Sequence, residues 1–267
     1  MITNIAILGL GWLGIPLAKK LCELGHIVNG TVRSTNSLEN LQKSNFGVFQ
    51  FDLKQSEDSL PNEITNAEIC ILCIPPGKSF EGNEYGDNLI NILNQFSDHT
   101  KYIFVSSTSV YPDKTKNASE SSYKWENNQN HISNAEQQLS LKLERRLTIL
   151  RMAGLIGPNR HPAKFFDGRT NIENGLSPVN LIHLLDCIQL IKLVIQNNHW
   201  GEIINGCSSN HPTREDYYTF ACEKFNFKKP SFISNGNGKI VDNKKSIKLG
   251  MKYQMDNPFD YWEMENS

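Results

Sequence analysis

A chain of 267 residues is long enough to bury a substantial core, as one large domain or two smaller ones, and 39% hydrophobic with 21% charged residues is an ordinary globular composition. A formal net charge of -1 gives no electrostatic reason to expect nucleic acid or an anionic membrane surface, and no stretch approaches the length that spans a bilayer. The apolar run near the N-terminus follows no basic segment and is broken by three glycines and Pro16, so it does not read as a secretory signal.

Strands and helices alternate through the first half, the pattern of a parallel sheet covered by helices. The run from Ile5 to Leu8 reads as a buried strand; it passes through Gly9-x-Gly11-x-x-Gly14 into helical periodicity at Leu13, Leu17, Leu21 and Leu24. A second strand spans Gly25 to Val32, a helix runs from about Ser37 to Lys43, and a short strand covers Gly47 to Phe51. The fourth strand, Ala67 to Ile74, stops at Pro75-Pro76-Gly77, where proline removes ladder donors. It contains the only Cys-x-x-Cys, Cys70 and Cys73. Residues three apart on a strand face opposite ways, so these read as two core thiols, with no metal site expected and a reducing cytoplasm as the expected location. Leu89, Ile90, Leu93 and Phe96 recur at helical spacing before a fifth strand, Tyr102 to Ser106.

From Asp113 to about Ser133 the chain is polar and poor in aliphatics, the length and composition of a binding loop or a disordered connection. Tyr123 and Trp125 within it either cover a ligand or dock the loop. A helix at about Asn134 to Arg146 and a sixth strand, Leu147 to Met152, follow. Val179 to Asp186 leads into an apolar helix ending near Gln196, and Gly201 to Asn205 reads as a seventh strand. Thr213 caps a helix that reaches about Phe225, with Asp216 three residues on. Lys239 to Asp242 reads as a small strand, and Asn243 to Leu249 as a short helix. The expected fold is therefore α/β, a Rossmann-type doubly wound parallel sheet of about seven strands. Residues 1–150 form its core, and 151–267 complete the sheet and supply a small, interleaved substrate-binding region.

The glycine spacing has a mechanical reading. Gly9 permits the turn, Gly11 lets the backbone approach a pyrophosphate, and Gly14 lets the helix pack closely on the strand, with the phosphates against peptide N–H groups at a helix N-terminus. Gly9, Leu10, Gly11, Trp12, Leu13 and Gly14 are accordingly the candidate cofactor cradle, joined by Arg33, Ser34, Asp52 and Pro75 at the ends of the following strands. An NAD-preferring site carries an acid about twenty positions past the glycines. This chain has Arg33 there instead, which suits a 2′-phosphate, so NADP is expected over NAD. Asp52 is placed either to reach an adenine edge or simply to form a turn.

Several segments resemble the extended short-chain dehydrogenase/reductases, the superfamily of nucleotide-sugar epimerases and dehydratases. Val105-Ser-Ser-Thr-Ser-Val-Tyr111-Pro112 is similar to their Ser-Ser-x-x-Val-Tyr-Gly signature. Arg151 to Arg160 is similar to their Arg-x-x-x-x-Tyr-Gly-Pro-Gly segment, Val179 to Asp186 to their Ile-His-Val-Asp-Asp segment, and Gly201 to Asn205 to their Gly-x-x-Tyr-Asn strand. The resemblance covers nearly the whole chain, but two features depart from it. Extended members open with Gly-x-x-Gly-x-x-Gly, and they use a Tyr-x-x-x-Lys pair in which the phenol moves a proton. None of the eight tyrosines here has lysine four residues later. If Glu136 is the acid that the family carries four past the lysine, Ile132 and Asn128 hold the lysine and tyrosine positions. The pattern resembles an atypical, epimerase-like bacterial subgroup.

Candidates to replace the pair are Ser107 and Thr108, which the resemblance places beside substrate hydroxyls, Tyr111 as a phenol, and His131, which titrates near neutrality or is a surface residue. Arg160, with His161, follows the Gly157-Pro158 turn and either meets an anionic substrate or lies in a solvated loop. His183 and Asp186 read as structural, orienting and capping the helix that they begin. The resemblance implies an NADP(H)-binding oxidoreductase or epimerase-like enzyme with a non-standard proton donor, acting on a small, sugar-derived or anionic metabolite. The alternative is a catalytically inactive dinucleotide-binding sensor or scaffold. Expected partners are a small-molecule substrate, with neither nucleic acid nor membrane, and a homodimer is left open.

Overall fold

The seven apolar runs read as strands form a single sheet. In this computed structural model, which describes residues 2–55, 57–77, 80–113, 115–123, 125 and 130–261, the first half gives β1 (Asn4–Leu8), α1 (Gly14–Glu23), β2 (Ile27–Val32), α2 (Thr35–Leu41), β3 (Gly47–Gln50), α3 (Asn62–Thr65), β4 (Ile69–Leu72), α4 (Glu84–Leu93) and β5 (Lys101–Ser107). The remainder gives β6 (Asn117–Ala118), α5 (His131–Leu143), β7 (Leu147–Met152), β8 (Gly154–Ile156), β9 (Leu181–His183), α6 (Leu184–Asn197), β10 (Ile203–Gly206), α7 (Arg214–Lys224), β11 (Ile240–Val241) and α8 (Lys244–Lys248). Strand order in the parallel sheet is β10-β7-β5-β4-β1-β2-β3. The chain runs outward from β1 to β3, then crosses back to place β4 on the other side of β1. That reversal is the topological switch point, where open α/β sheets bind ligands beyond the carboxyl ends of their strands. Among the described residues no helix is long and apolar enough to cross a membrane.

The chain divides into two compact units, and they are not the contiguous stretches 1–150 and 151–267. One comprises Met1–Ser106, Trp125–Leu150 and Val194–Ile203; the other comprises Ser107–Lys124, Arg151–Leu193 and Ile204–Ser267. In the first, Leu8, Leu72 and Phe104 from the strands pack with Leu89, Ile92 and Leu139 from the helices. Glu136 is fully buried there, accepting from Ser106 Oγ at 2.5 Å and from Trp125 Nε1 at 3.0 Å. Trp125 therefore docks its segment on the core. Helix α5 begins at His131, three residues earlier than its apolar periodicity predicts, because Asn130 caps it by accepting from Ile132 N at 2.8 Å.

In the second unit the segments that resemble family motifs meet in one buried knot. Arg151, fully buried, donates to the Tyr111 hydroxyl at 3.1 Å, and its guanidinium lies over the Tyr111 and Tyr123 rings at 5.0 and 5.5 Å. The Tyr111 hydroxyl in turn donates to Asn205 Oδ1 at 2.6 Å. Asn205 Nδ2 donates to the carbonyls of Ala118 and Asp242 at 3.2 and 2.9 Å, tying down the β6 and β11 segments, which pair with each other. The polar stretch after β5 is thus anchored at Tyr111, Ala118 and Tyr123. Thr213 caps α7 as expected, accepting from Asp216 N at 3.1 Å. Asp186 does not cap its own helix; its buried carboxylate accepts from Gln254 N and Met255 N at 2.7 and 3.1 Å, fixing a segment about seventy residues on, which no local pattern signals.

Asn205→Ala should lower the urea-unfolding stability by about 2–4 kcal/mol, because it leaves the Tyr111 hydroxyl and two buried carbonyls short of a partner. A loss below about 0.5 kcal/mol would mean the knot does not hold the unit together.

Candidate functional site

The turn after β1 is built as the glycine spacing predicts. Gly9 has φ +105°, and a Cβ there would press on the Cys73 carbonyl at 3.0 Å. A Cβ at Gly14 would overlap the Gly9 carbonyl oxygen, so the start of α1 approaches β1 only because residue 14 has no side chain. At Gly11 an added Cβ would meet nothing within 4 Å; this position opens outward. Thr31 holds the turn from β2, accepting from Gly9 N at its hydroxyl (3.2 Å) and from Leu10 N at its carbonyl (2.7 Å). Helix α1 starts with no side-chain cap and no acid in its first turn, leaving its N-terminal field to favour an anion.

This turn borders a cavity of about 410 Å³ at the switch point between β1 and β4. Gly9, Leu10, Gly11, Arg33, Ser34, Asp52 and Pro75 all line it. Trp12, Leu13 and Gly14 do not; they lead from the turn into α1, which begins at Gly14. Among the described residues no ion pair engages the exposed Arg33 guanidinium. Asp52 both lines the cavity and makes a turn, accepting from Lys54 N at 3.1 Å. Lys54 and Phe80 line it as well, the ammonium 5.5 Å from the ring centroid, and neither stands in a motif that marks it in the sequence. Cys73 also faces the cavity, but burial pushes its thiol up to about 12, so it stays protonated; among the described residues no cluster of metal-ligating side chains exists.

Of the four catalytic candidates, Ser107, Thr108 and Tyr111 belong to the second unit and His131 to the first. Ser107 ends β5, its hydroxyl accepting from Ser109 N at 3.1 Å, and Thr108 follows it, buried. Burial raises the Tyr111 phenol despite the opposing pull of Arg151, and its hydroxyl is engaged by both Arg151 and Asn205. His131 uses Nδ1 on the Gly82 carbonyl at 2.8 Å, a contact that fixes the beginning of α5. Ile132, which holds the lysine position if Glu136 is the family's acid, packs on the hydrophobic core. Asn128, at the tyrosine position on the same count, lies outside the described residues.

The second unit holds a larger cavity, about 680 Å³, within the size range of small-molecule sites. Arg160 lines it, presented by a tight turn in which Gly157 and Arg160 exchange backbone bonds of 3.2 and 2.9 Å. Pro158 and Asn159, the latter at φ +58°, supply the residues that a type II turn demands. His161 lines the cavity too. Its Nδ1 accepts from Ala163 N at 3.0 Å, which leaves Nε2 protonated toward the Tyr217 hydroxyl at 3.2 Å. Burial lowers its pKa to about 4, so the ring is neutral at physiological pH. Much of the remaining wall is aromatic, from residues such as Tyr218, Phe225 and Phe227, scattered along the sequence without a motif to collect them.

Comparison with known proteins adds three findings. Residues 4–127 match the family model of the NAD binding domain of 6-phosphogluconate dehydrogenase. The chain is 32% identical to protein YeeZ of Escherichia coli K12 over 96% of its own length and 97% of that protein's. Its fold is that of the extended short-chain dehydrogenase/reductases. It superposes on UDP-glucuronic acid 4-epimerase from Bacillus cereus in complex with NAD (TM-score 0.75, 19% identity, 98% and 99% of the two chains). It also superposes on the human epimerase family protein SDR39U1 with NADPH (TM-score 0.71, 14% identity, 98% and 99%).

The His161 environment has a pH signature. Below the ordinary histidine value of 6.5 the unfolded chain takes up a proton that the folded site, at about 4, refuses. The histidine's contribution is thus complete above pH 6.5 and is lost as pH falls toward 4. His161→Asn keeps an acceptor for Ala163 N and should lose less stability than the unmodified chain across that interval in urea unfolding. Parallel curves would contradict the buried, neutral assignment.

Proposed function

The chain belongs to the family of the Escherichia coli protein YeeZ, and from that premise we propose that it is an NADP(H)-binding oxidoreductase of the epimerase/dehydratase kind, acting on a small anionic metabolite. One observation carries this reading. The open glycine turn and an arginine at the end of β2 line the same cavity, at the point where the sheet reverses. The turn of Gly9, Leu10 and Gly11, continuing through Trp12 and Leu13 to the start of α1 at Gly14, would border the pyrophosphate. Arg33 and Ser34 would meet a 2′-phosphate, and Asp52 and Pro75 would border the adenosine. The fit rests on the space at Gly11, which no neighbouring side chain fills. Bound nicotinamide would supply reversible hydride transfer, and the protein would supply position and electrostatics.

With Tyr111 and His131 committed elsewhere, Ser107 and Thr108 remain as hydroxyls to orient a substrate, and Arg160 in the larger cavity would attract its charge. An unassisted serine is a poor base at neutral pH, so the proton-transfer group is not among the residues singled out from the sequence. The core packing of Ile132 favours a second reading, a dinucleotide-binding protein without turnover. Consumption of NADPH absorbance against a panel of carbonyl compounds separates the two: substrate-dependent loss supports the enzyme, and tight NADPH binding with no loss across the panel supports the sensor.

Arg33→Glu should weaken NADPH binding by about tenfold or more while changing NADH binding by less than about threefold, measured by fluorescence titration. Equal losses for the two cofactors would remove the 2′-phosphate role.

A further inference from the structure

The walls of the larger cavity say more about its ligand than its size does. Among the described residues its lining contains two cations, Arg160 and Lys164, and no aspartate or glutamate. Both cations are exposed at this surface, with the Lys164 ammonium 5.4 Å from the Phe165 centroid. The aromatic side is rigidly set. Tyr218 stacks on Phe166 at 4.0 Å between centroids and 15° between planes, and Phe225 lies 4.8 Å from the His161 ring. His161 is neutral and donates its ring proton within the protein, so it adds no charge to the site.

We infer that this cavity takes a flat, apolar, typically aromatic molecule that carries a carboxylate or comparable anionic group, and not a polyhydroxylated sugar. The inference rests on reading the cavity as the substrate site proposed above, and narrows the class of that substrate. Recognising several hydroxyls favours an array of acceptors, above all carboxylates, and among the described residues no carboxylate lines this wall. Aromatic walls offer stacking and apolar burial to a planar ring, while a guanidinium and an ammonium in the same lining favour an anion. The pattern is that of an aryl or enol acid: one face buried, one end charged.

Three probes of matched size or charge test this on the full-length protein by calorimetry and saturation-transfer NMR: 2-naphthoate, the neutral 2-naphthalenemethanol, and D-glucuronate. The expected result is that 2-naphthoate binds about tenfold or more tightly than either of the others. Arg160→Gln combined with Lys164→Gln, both at exposed positions, should erase most of its advantage over the alcohol. Glucuronate binding as well as naphthoate, naphthalenemethanol binding as well as naphthoate, or no binding of naphthoate at millimolar concentration would each overturn the inference. NADPH titrated in parallel separates this from the cofactor reading. NADPH binding without naphthoate binding removes the substrate class alone, whereas naphthoate binding without NADPH binding keeps the class of ligand and removes the oxidoreductase.

Discussion

Residue 14 can hold nothing larger than hydrogen, because the Gly9 carbonyl already occupies the space where a Cβ would stand. That contact sets the distance between β1 and the first turn of α1, and with it the shape of the loop between them. Thr31 fixes the same loop from β2 through two hydrogen bonds, so three segments agree on one backbone path. The path leaves Gly11 facing open space at the switch point of the sheet. Arg33, Ser34, Asp52 and Pro75 then follow without further design, since each stands just past the carboxyl end of a strand whose place in the sheet is set by its neighbours.

The two cavities answer to different chemistries. The first is bordered by the glycine turn, the exposed Arg33 and the start of an uncapped helix, a setting of positive potential that favours an anion. The second is walled by rings that pack on one another and carries cations at exposed positions.

How much of this was legible in the sequence depended on whether the signal was local. The glycine turn, the seven sheet strands and the cap at Thr213 are set by residues within a few positions of one another, and each forms as read. Arg33 and Asp52 line the cavity at the switch point, where strand ends meet in a parallel sheet. The partners of Tyr111 are not legible locally, because Arg151 and Asn205 stand 40 and 94 residues away. Asp186 is the same case, its partners being Gln254 and Met255. The short strands β8 and β9 escaped notice because a three-residue run has no periodicity to read. The aromatic wall escaped because Phe165, Tyr218, Phe225 and Phe227 share no spacing, and only the tertiary fold collects them.

The central claim is that residue 11 is empty for the sake of a bound pyrophosphate and for no reason of folding. Calorimetric titration of NADPH into the unmodified protein and into Gly11→Ala, with thermal melts of both, tests it most directly. The account predicts melting temperatures that agree to within about 2 °C, since the new methyl group touches nothing, together with a loss of NADPH affinity of about tenfold or more. Undiminished NADPH binding by Gly11→Ala, or no binding by either protein, would contradict it.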